Sequence, residues 1–277
     1  MIGLVTDSNA QLPGDLRERY QVGVVPLTVV VDDHPHQEGV DITAGEFYER
    51  LAAGASVSTA APSPGAVLTA YEQLAKAGAS EILSIHIGSN MSATVNAVSI
   101  AARSSPVPVE IVDTGTASFA VACCVWAAGE VLAADGDLPQ AADVARRVAD
   151  QVGNVFIVGA LDLARRGGRL ATDGEALTTA GEGLPVLALA EGQMQAVGRV
   201  HDVESAIDAM TDYLVETADG TPQRVGVGDA VTPELAGEYA ARLAERPEVA
   251  ELVRYEIGPS VGAHTGAGTV GACFFPG

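Results

Sequence analysis

The sequence predicts an α/β fold in two parts, an N-terminal parallel-sheet α/β domain over residues 1–151 and a C-terminal α+β domain over residues 152–277. Three observations predict it. Strand-like and helix-like segments alternate through the first part, the rhythm of a parallel sheet with helices on its faces. The chain is 48% hydrophobic but only 4% aromatic, so Ala, Val, Leu and Ile must fill the core, as where Val-rich strands lie under Ala-rich helices. Beyond residue 152 the rhythm becomes less regular, which suits a second domain.

The elements follow in order. Residues 2–5 read as a short buried strand, closed by Thr6-Asp7-Ser8-Asn9. A helix suits 13–20, and 22–31 is strand-like with a break at Pro26. Thr43-Ala44-Gly45-Glu46 is a capping-box pattern opening a helix to about residue 53. Ser63-Pro64 sets an N-cap before an N1 proline, and a helix follows to Lys76. Residues 81–87 form a strand and 88–91 a loop, and Ser92 precedes a helix to about Arg103. The strand 109–112 ends at Asp113-Thr114-Gly115-Thr116, and helices follow over 117–134 and 138–151. In a parallel sheet, functional groups sit in loops beyond the carboxyl ends of the strands. That singles out Thr6-Asp7-Ser8, Gly88-Ser89-Asn90 and Asp113-Thr114. In the second part, 155–160, 185–190, 224–228 and 252–257 read as strands, and about 203–217 and 233–246 as helices. Arg165-Arg166-Gly167-Gly168-Arg169 reads as a turn, and the segment 261–275 is glycine-rich and then apolar.

Charge excludes several functions. The formal net charge is −21, with 15 basic residues of which one, Lys76, is a lysine. Such a field repels phosphate backbones and anionic membrane surfaces. A free anion binds only where local donors overcome it. No run of about 18 apolar residues is free of polar interruption, so no stable membrane insertion is expected. The start of the chain lacks a basic region and turns polar after Val5, unlike a signal peptide. Cys123, Cys124 and Cys273 read as buried, reduced thiols of a cytoplasmic protein, since adjacent cysteines make a poor disulfide and a poor metal clip.

Several matches to catalytic motifs fail on context. Gly258-Pro259-Ser260-Val261-Gly262 fits a nucleophile elbow, but no Asp or Glu follows Ser260, and Gly262 and Gly266 discourage the required helix. A turn between strands is the expected reading. Gly266-Ala267-Gly268-Thr269-Val270-Gly271 fits a dinucleotide fingerprint, but six residues cannot complete the βαβ unit. The lone lysine follows Ala75, so no Walker A loop exists. His34-Pro35-His36 lacks a third metal ligand and reads as a surface loop. No catalytic and no metal-binding residue is assigned.

Three polar stretches remain that suit one anion. They are Ser58-Thr59-Ala60-Ala61-Pro62-Ser63-Pro64, Ser89-Asn90-Met91-Ser92-Ala93-Thr94 and Gly262-Ala263-His264-Thr265-Gly266. Helix N-termini supply free N–H groups, and hydroxyls add neutral donors. Taken singly, Ser63 and Ser92 read equally well as ordinary N-caps, and His264 as a satisfied core histidine.

These stretches belong to an ordered set that resembles the DegV family. Val5-Thr6-Asp7-Ser8 with Leu12-Pro13 is similar to its opening. Val25-Pro26-Leu27, Gly39-Val40-Asp41-Ile42-Thr43 and Phe47-Tyr48 resemble its next block, and 59–64 its T-S-Q-P-S segment. Met91-Ser92-Ala93-Thr94 resembles its L-S-G-T, Arg166-Gly167-Gly168-Arg169 its K-G-G-R, and 262–269 its G-x-H-T-G-P-G-T. The resemblance spans residues 5–271 and implies a two-domain DegV-like (EDD) fold. It implies one long-chain fatty acid in an apolar tunnel, no cofactor and no complete catalytic site. The carboxylate falls to Thr59 and Ser92, with His264 beside it. A separate Dak-type fatty acid kinase would use ATP to make the acyl phosphate, with Arg169 and Arg199 serving that encounter. Read as residues alone, the arginine-rich turn is also a plain solvated surface.

The sequence departs from the family pattern at Ala60 and Ala61, which replace Ser-Gln, and at Ala93, which replaces glycine. Leu184-Pro185 stands for Lys-Pro, and Ala267 for proline. Two rival readings stay open. One is a small-molecule-converting α/β enzyme in which Asp7, Ser92 and His264 converge. The other is a fatty-acid-sensing regulatory module without kinase coupling. The segment 117–134 could line a tunnel or be plain core.

Overall fold

Strand β1 (Ile2–Asp7) is buried along most of its length and lies inside a four-stranded sheet. It pairs in parallel with β2 (Gly23–Val25) on one side and β6 (Glu81–His86) on the other. β7 (Val109–Asp113) adds to β6, completing an all-parallel sheet of order β2-β1-β6-β7. This computed structural model describes residues 1–170 and 183–277.

The expected caps form. Thr43 and Glu46 make a capping box on α2 (Ala44–Ala52), and Ser63 caps α3 (Pro64–Lys76) by accepting from Ala66 N–H. Short α1 (Gly14–Arg19) precedes them, and α4 (Thr94–Ala102) follows β6. The predicted strand over 22–31 divides at Pro26-Leu27. Its second half becomes β3 (Thr28–Val31), the centre of an antiparallel sheet with β4 (His34–Gln37) and β5 (Val57–Ala60). That small sheet escaped the sequence reading, which took His34-Pro35-His36 for a loop. β4 and β5 are short, polar and half exposed, so they carry no apolar alternation.

The second sheet has six strands in the order β10-β9-β8-β13-β11-β12. They are β8 (Gly153–Ile157), β9 (Leu184–Ala190), β10 (Gln193–Val200), β11 (Gln223–Asp229), β12 (Val249–Glu256) and β13 (Val270–Pro276). The pairing is antiparallel except between β11 and β12. Three helices of this part are α7 (Leu161–Arg166), α8 (Val203–Ala218) and α9 (Pro233–Ala244). The last, α10 (Pro259–Thr265), corrects the expected turn at the G-x-S-x-G motif. Gly266, with φ of 79°, ends that helix as its C-cap instead of preventing it.

One face of the six-stranded sheet packs Val155, Val225, Val227 and Phe274 under Ile207, Met210 and Tyr239 of α8 and α9. The other face looks toward the N-terminal part. There α5 (Phe119–Ala133) and α6 (Leu138–Gln151) lie between the two sheets, each touching strands of both. That position explains why α5 is apolar on every side, with residues 119–129 all buried. Glycines on the sheet make room for aromatic rings. A Cβ at Gly226 would collide with Phe119, and one at Gly228 with Tyr255. Those two rings stack at 4.5 Å. Residues 119–129 are therefore core. Among the described residues, no helix is long and apolar enough to cross a membrane.

Candidate functional site

A cavity of about 360 Å³ lies between the inner face of the six-stranded sheet and the loops at the carboxyl ends of the parallel strands. Its size falls within the roughly 300–1,000 Å³ of small-molecule sites. The C-terminal sheet contributes Phe156, Leu189, Met194, Tyr255 and Cys273, and the N-terminal part Leu27, Ile87 and Met91. None of the 36 acidic residues of the chain is among the described lining residues, and Arg169 is the one permanent cation there. A chain of net charge −21 thus encloses an apolar space without a carboxylate in its described wall.

Thr59, Ser92, His264 and Arg169 all line this cavity, although they lie up to 205 residues apart. Thr59 stands on β5, and its Oγ1 is 3.1 Å from His264 Nε2. His264 sits in the last turn of α10, so no helix N-terminus serves it. Burial, and secondarily the positive charge of Arg169, push its pKa down to about 4. It is neutral at neutral pH and acts as a hydrogen-bonding group, not as a counter-ion. Its Nδ1 is buried without a partner among the described residues. Gly167 packs directly on it, and a Cβ there would collide with Nδ1. The absence of a side chain at Gly167 therefore admits the histidine ring.

Ser92 precedes α4 as expected. Its Oγ lies 2.8 Å from Thr94 Oγ1 and accepts from Thr94 N–H at 3.3 Å. Ala93 caps the helix at φ −74° and ψ 7°, ordinary backbone for alanine, so replacing the family's glycine strains nothing. The loop before Ser92 is tied down at nearly every donor. Ile87 N–H donates to Asp7, Gly88 N–H to Thr116 O, Ser89 N–H to Asp113, and Met91 and Ser92 N–H to Gly88 O. From the other side, Arg169 donates to the Met91 carbonyl and, at 3.2 Å, to Gly167 O. Arg169 thus joins the glycine turn to the serine loop in the cavity wall.

Arg199 is placed elsewhere. It lies on β10, donates to Gly183 O at 3.1 Å, and is not among the lining residues. Arg165 and Arg166 are exposed at the end of α7. Ser63 is exposed and spent on its cap. Asp7 does not converge with Ser92 and His264. It is fully buried, pairs with His86 at 2.9 Å, and does not line the cavity. Ser260 does line it, but its Oγ faces Asn9 and Gln11, each at 3.3 Å. That is no nucleophile–base pair.

Sequence reasoning missed the apolar wall and two polar lining residues. Asn154 braces β8 to β9, donating to Leu189 O at 3.2 Å and accepting from Leu189 N–H at 2.5 Å. Ser118 adopts φ 60° and ψ −150°, a region favouring glycine, and is held there by its N–H bond to Asn9 Oδ1 at 2.8 Å. Neither carries a local sequence signal. Cys273 lies in the wall with its thiol pushed up to about 12 by burial, so it stays protonated and inert.

Comparisons with known proteins agree with this architecture. A family model described as "Uncharacterised protein, DegV family" matches residues 1–277. The chain is 35% identical to a DegV domain-containing protein of Streptomyces coelicolor, over 98% of this chain and 96% of that protein. It superposes on a fatty-acid-binding DegV family protein of Thermus thermophilus with a TM-score of 0.92 at 30% identity, covering 99% of each chain. DegV of Bacillus subtilis, a fatty acid binding protein, superposes with a TM-score of 0.88 at 26% identity, covering 100% of this chain and 99% of that one.

Proposed function

The chain belongs to the DegV family, and from that premise and the cavity we propose that it binds one long-chain fatty acid and presents the carboxylate to a separate kinase. The single observation that carries the ligand is the apolar cavity without a described acidic wall residue, with hydroxyls, a neutral histidine and one arginine in its lining. The solved relatives from Thermus thermophilus and Bacillus subtilis, described as fatty acid binding, support it. In this reading Thr59 and Ser92 donate to the carboxylate, His264 orients it, and Arg169 supplies the nearby positive charge. Affinity comes from the tail. Each buried CH₂ contributes on the order of 0.8 kcal/mol, so about sixteen carbons supply on the order of 10 kcal/mol before ordering costs.

The finer part of the proposal is a partner. A Dak-type kinase with ATP would form the acyl phosphate, docking near Arg169 and the exposed Arg165 and Arg166, with Arg199 farther along the same part. The chain itself contributes no nucleophile and no cofactor in this reading. We place the function in the cytoplasm, in keeping with three buried unpaired cysteines, and the domain boundary at residues 151/152, between α6 and β8.

The test is direct. Protein purified without added lipid and denatured for mass spectrometry is expected to release acyl species in near-equal proportion to chain. Their absence, with no uptake of added palmitate, would remove the ligand. Adding a Dak-type kinase and ATP should then yield acyl phosphate only when both proteins are present. Binding without that product would leave the sensing role.

A further inference from the structure

Beneath α3, a chain of four side chains runs from the helix to the carboxyl ends of β6 and β1, the two inner strands of the parallel sheet, with none of them exposed. Tyr71 Oη is 2.8 Å from Ser84 Oγ, Ser84 Oγ is 2.6 Å from His86 Nε2, and His86 Nδ1 is 2.9 Å from Asp7 Oδ2. All four residues are 0% exposed. A carboxylate can only accept, so His86 carries its proton on Nδ1. On its other side His86 Nε2 meets Ser84 Oγ, and Ser84 Oγ meets the Tyr71 hydroxyl. Burial pushes the Tyr71 phenol up to about 12, which keeps its proton available as the first donor. The three hydrogen bonds are continuous and end on Asp7.

The contacts run in the order of a Ser-His-Asp triad, but the serine is sealed. Ser84 Oγ is engaged by Tyr71, and none of the four is among the residues lining the cavity. What the chain reaches is the loop. Asp7 Oδ2 also accepts from Ile87 N–H at 3.1 Å, and Oδ1 accepts from Asn9 N–H at 3.1 Å. Ile87 and Asn9 both line the cavity. The His86 carbonyl is held from the other side by Thr114 Oγ1 at 2.8 Å. Asp7 thus fixes two separate wall segments, and His86 fixes Asp7.

We propose that the Tyr71–Ser84–His86–Asp7 chain is the positioning device of the ligand site, holding the Ile87–Ser92 loop and Asn9 at the spacing that ligand binding needs without touching the ligand. This rests on the fatty-acid reading only for its readout. Asp7→Asn keeps the shape but puts an amide where three donors converge, so at least one of them loses its acceptor. The full chain is tested with palmitate binding and residue-resolved amide exchange. Asp7→Asn is expected to weaken palmitate roughly tenfold and to speed exchange at 87–92, while exchange at 259–265 stays as in the parent. Tyr71→Phe, at the far end, takes away the partner of Ser84 and should move both readouts in the same direction more weakly than Asp7→Asn. Nitrogen shifts of His86 should show the Nδ1–H tautomer in the parent. If Asp7→Asn does not fold, Ser84→Ala frees His86 Nε2 and should give the same pattern more weakly. Affinity within about twofold of the parent, or exchange speeded evenly along the whole chain, would overturn the proposal. If the parent itself holds no palmitate, the ligand reading fails, and local against uniform exchange still decides whether the chain positions the loop.

Discussion

His86 lies under α3 with both ring nitrogens partnered inside the protein, a serine on one and an aspartate on the other. His264 lies on the cavity wall with one nitrogen facing Thr59 and the other unpartnered among the described residues. Both are removed from most of the solvent, yet one belongs to a closed network and the other to an open one. A closed network stabilises a fold, since removing a member strands the rest. An open one leaves hydrogen-bonding capacity for something that is not part of the chain.

The largest expected effect tests that contrast. His86→Ala leaves the buried Asp7 carboxylate short of a donor and opens a void beside Ser84, which should cost about 3 kcal/mol in urea unfolding. His264→Ala should cost about 1 kcal/mol, the value of one neutral hydrogen bond, and lower fatty acid affinity instead. Equal losses of stability would erase the distinction.

Next in size is the pair of serines that the sequence leaves indistinguishable. Ser92→Ala removes a proposed donor to a carboxylate and should weaken palmitate roughly tenfold, by calorimetry or displacement of a fluorescent acyl probe. Ser63→Ala should leave affinity unchanged and cost about 1 kcal/mol of stability, because its Oγ serves only the Ala66 N–H. Comparable losses of affinity would detach the ligand from the Ser92 loop.

What the sequence made legible follows from how local each signal is. The Thr43 capping box, the N1 proline and the alternation of strands with helices are carried by short stretches, so α2, α3 and the parallel first sheet were readable. Thr59, Ser92, His264 and Arg169 were found through their ordered motifs, and the structure brings them to one cavity. The apolar wall was not legible. Phe156, Leu189, Met194 and Tyr255 look like any core residue until the sheet face they share is known to be open. Strand β10, mostly exposed and without an apolar run, gave no period to follow. The His86 chain was hidden for a further reason: it joins Asp7 to His86 across 79 residues, and neither stands in a recognisable motif for that pairing.

A smaller effect probes how tightly the open histidine is held. Gly167 has φ −76° and ψ −4°, which alanine adopts freely, so Gly167→Ala carries no backbone cost. The added methyl must instead displace the His264 ring from Thr59. Palmitate affinity should fall about fivefold, and the double variant with His264→Ala should be no weaker than His264→Ala alone. Additive losses would mean that the glycine acts elsewhere.

The smallest effect is the pH dependence of the free protein. The His264 pKa lies at about 4 in the folded chain, against 6.5 ordinarily, because burial and Arg169 disfavour its charged form. Between those values the unfolded chain binds more protons than the folded one, so stability rises with pH through the window. The contribution is complete above pH 6.5 and is lost as pH falls toward 4. Between pH 7 and pH 6 the loss should be less than about 1 kcal/mol. His264→Gln should flatten that slope while leaving the acid limb due to carboxylates in place. A slope unchanged by the substitution would show that His264 exchanges protons in the fold as freely as in the unfolded chain. The ring would then face solvent, not the dry wall of a ligand site, and the contrast with His86 would lose its physical basis.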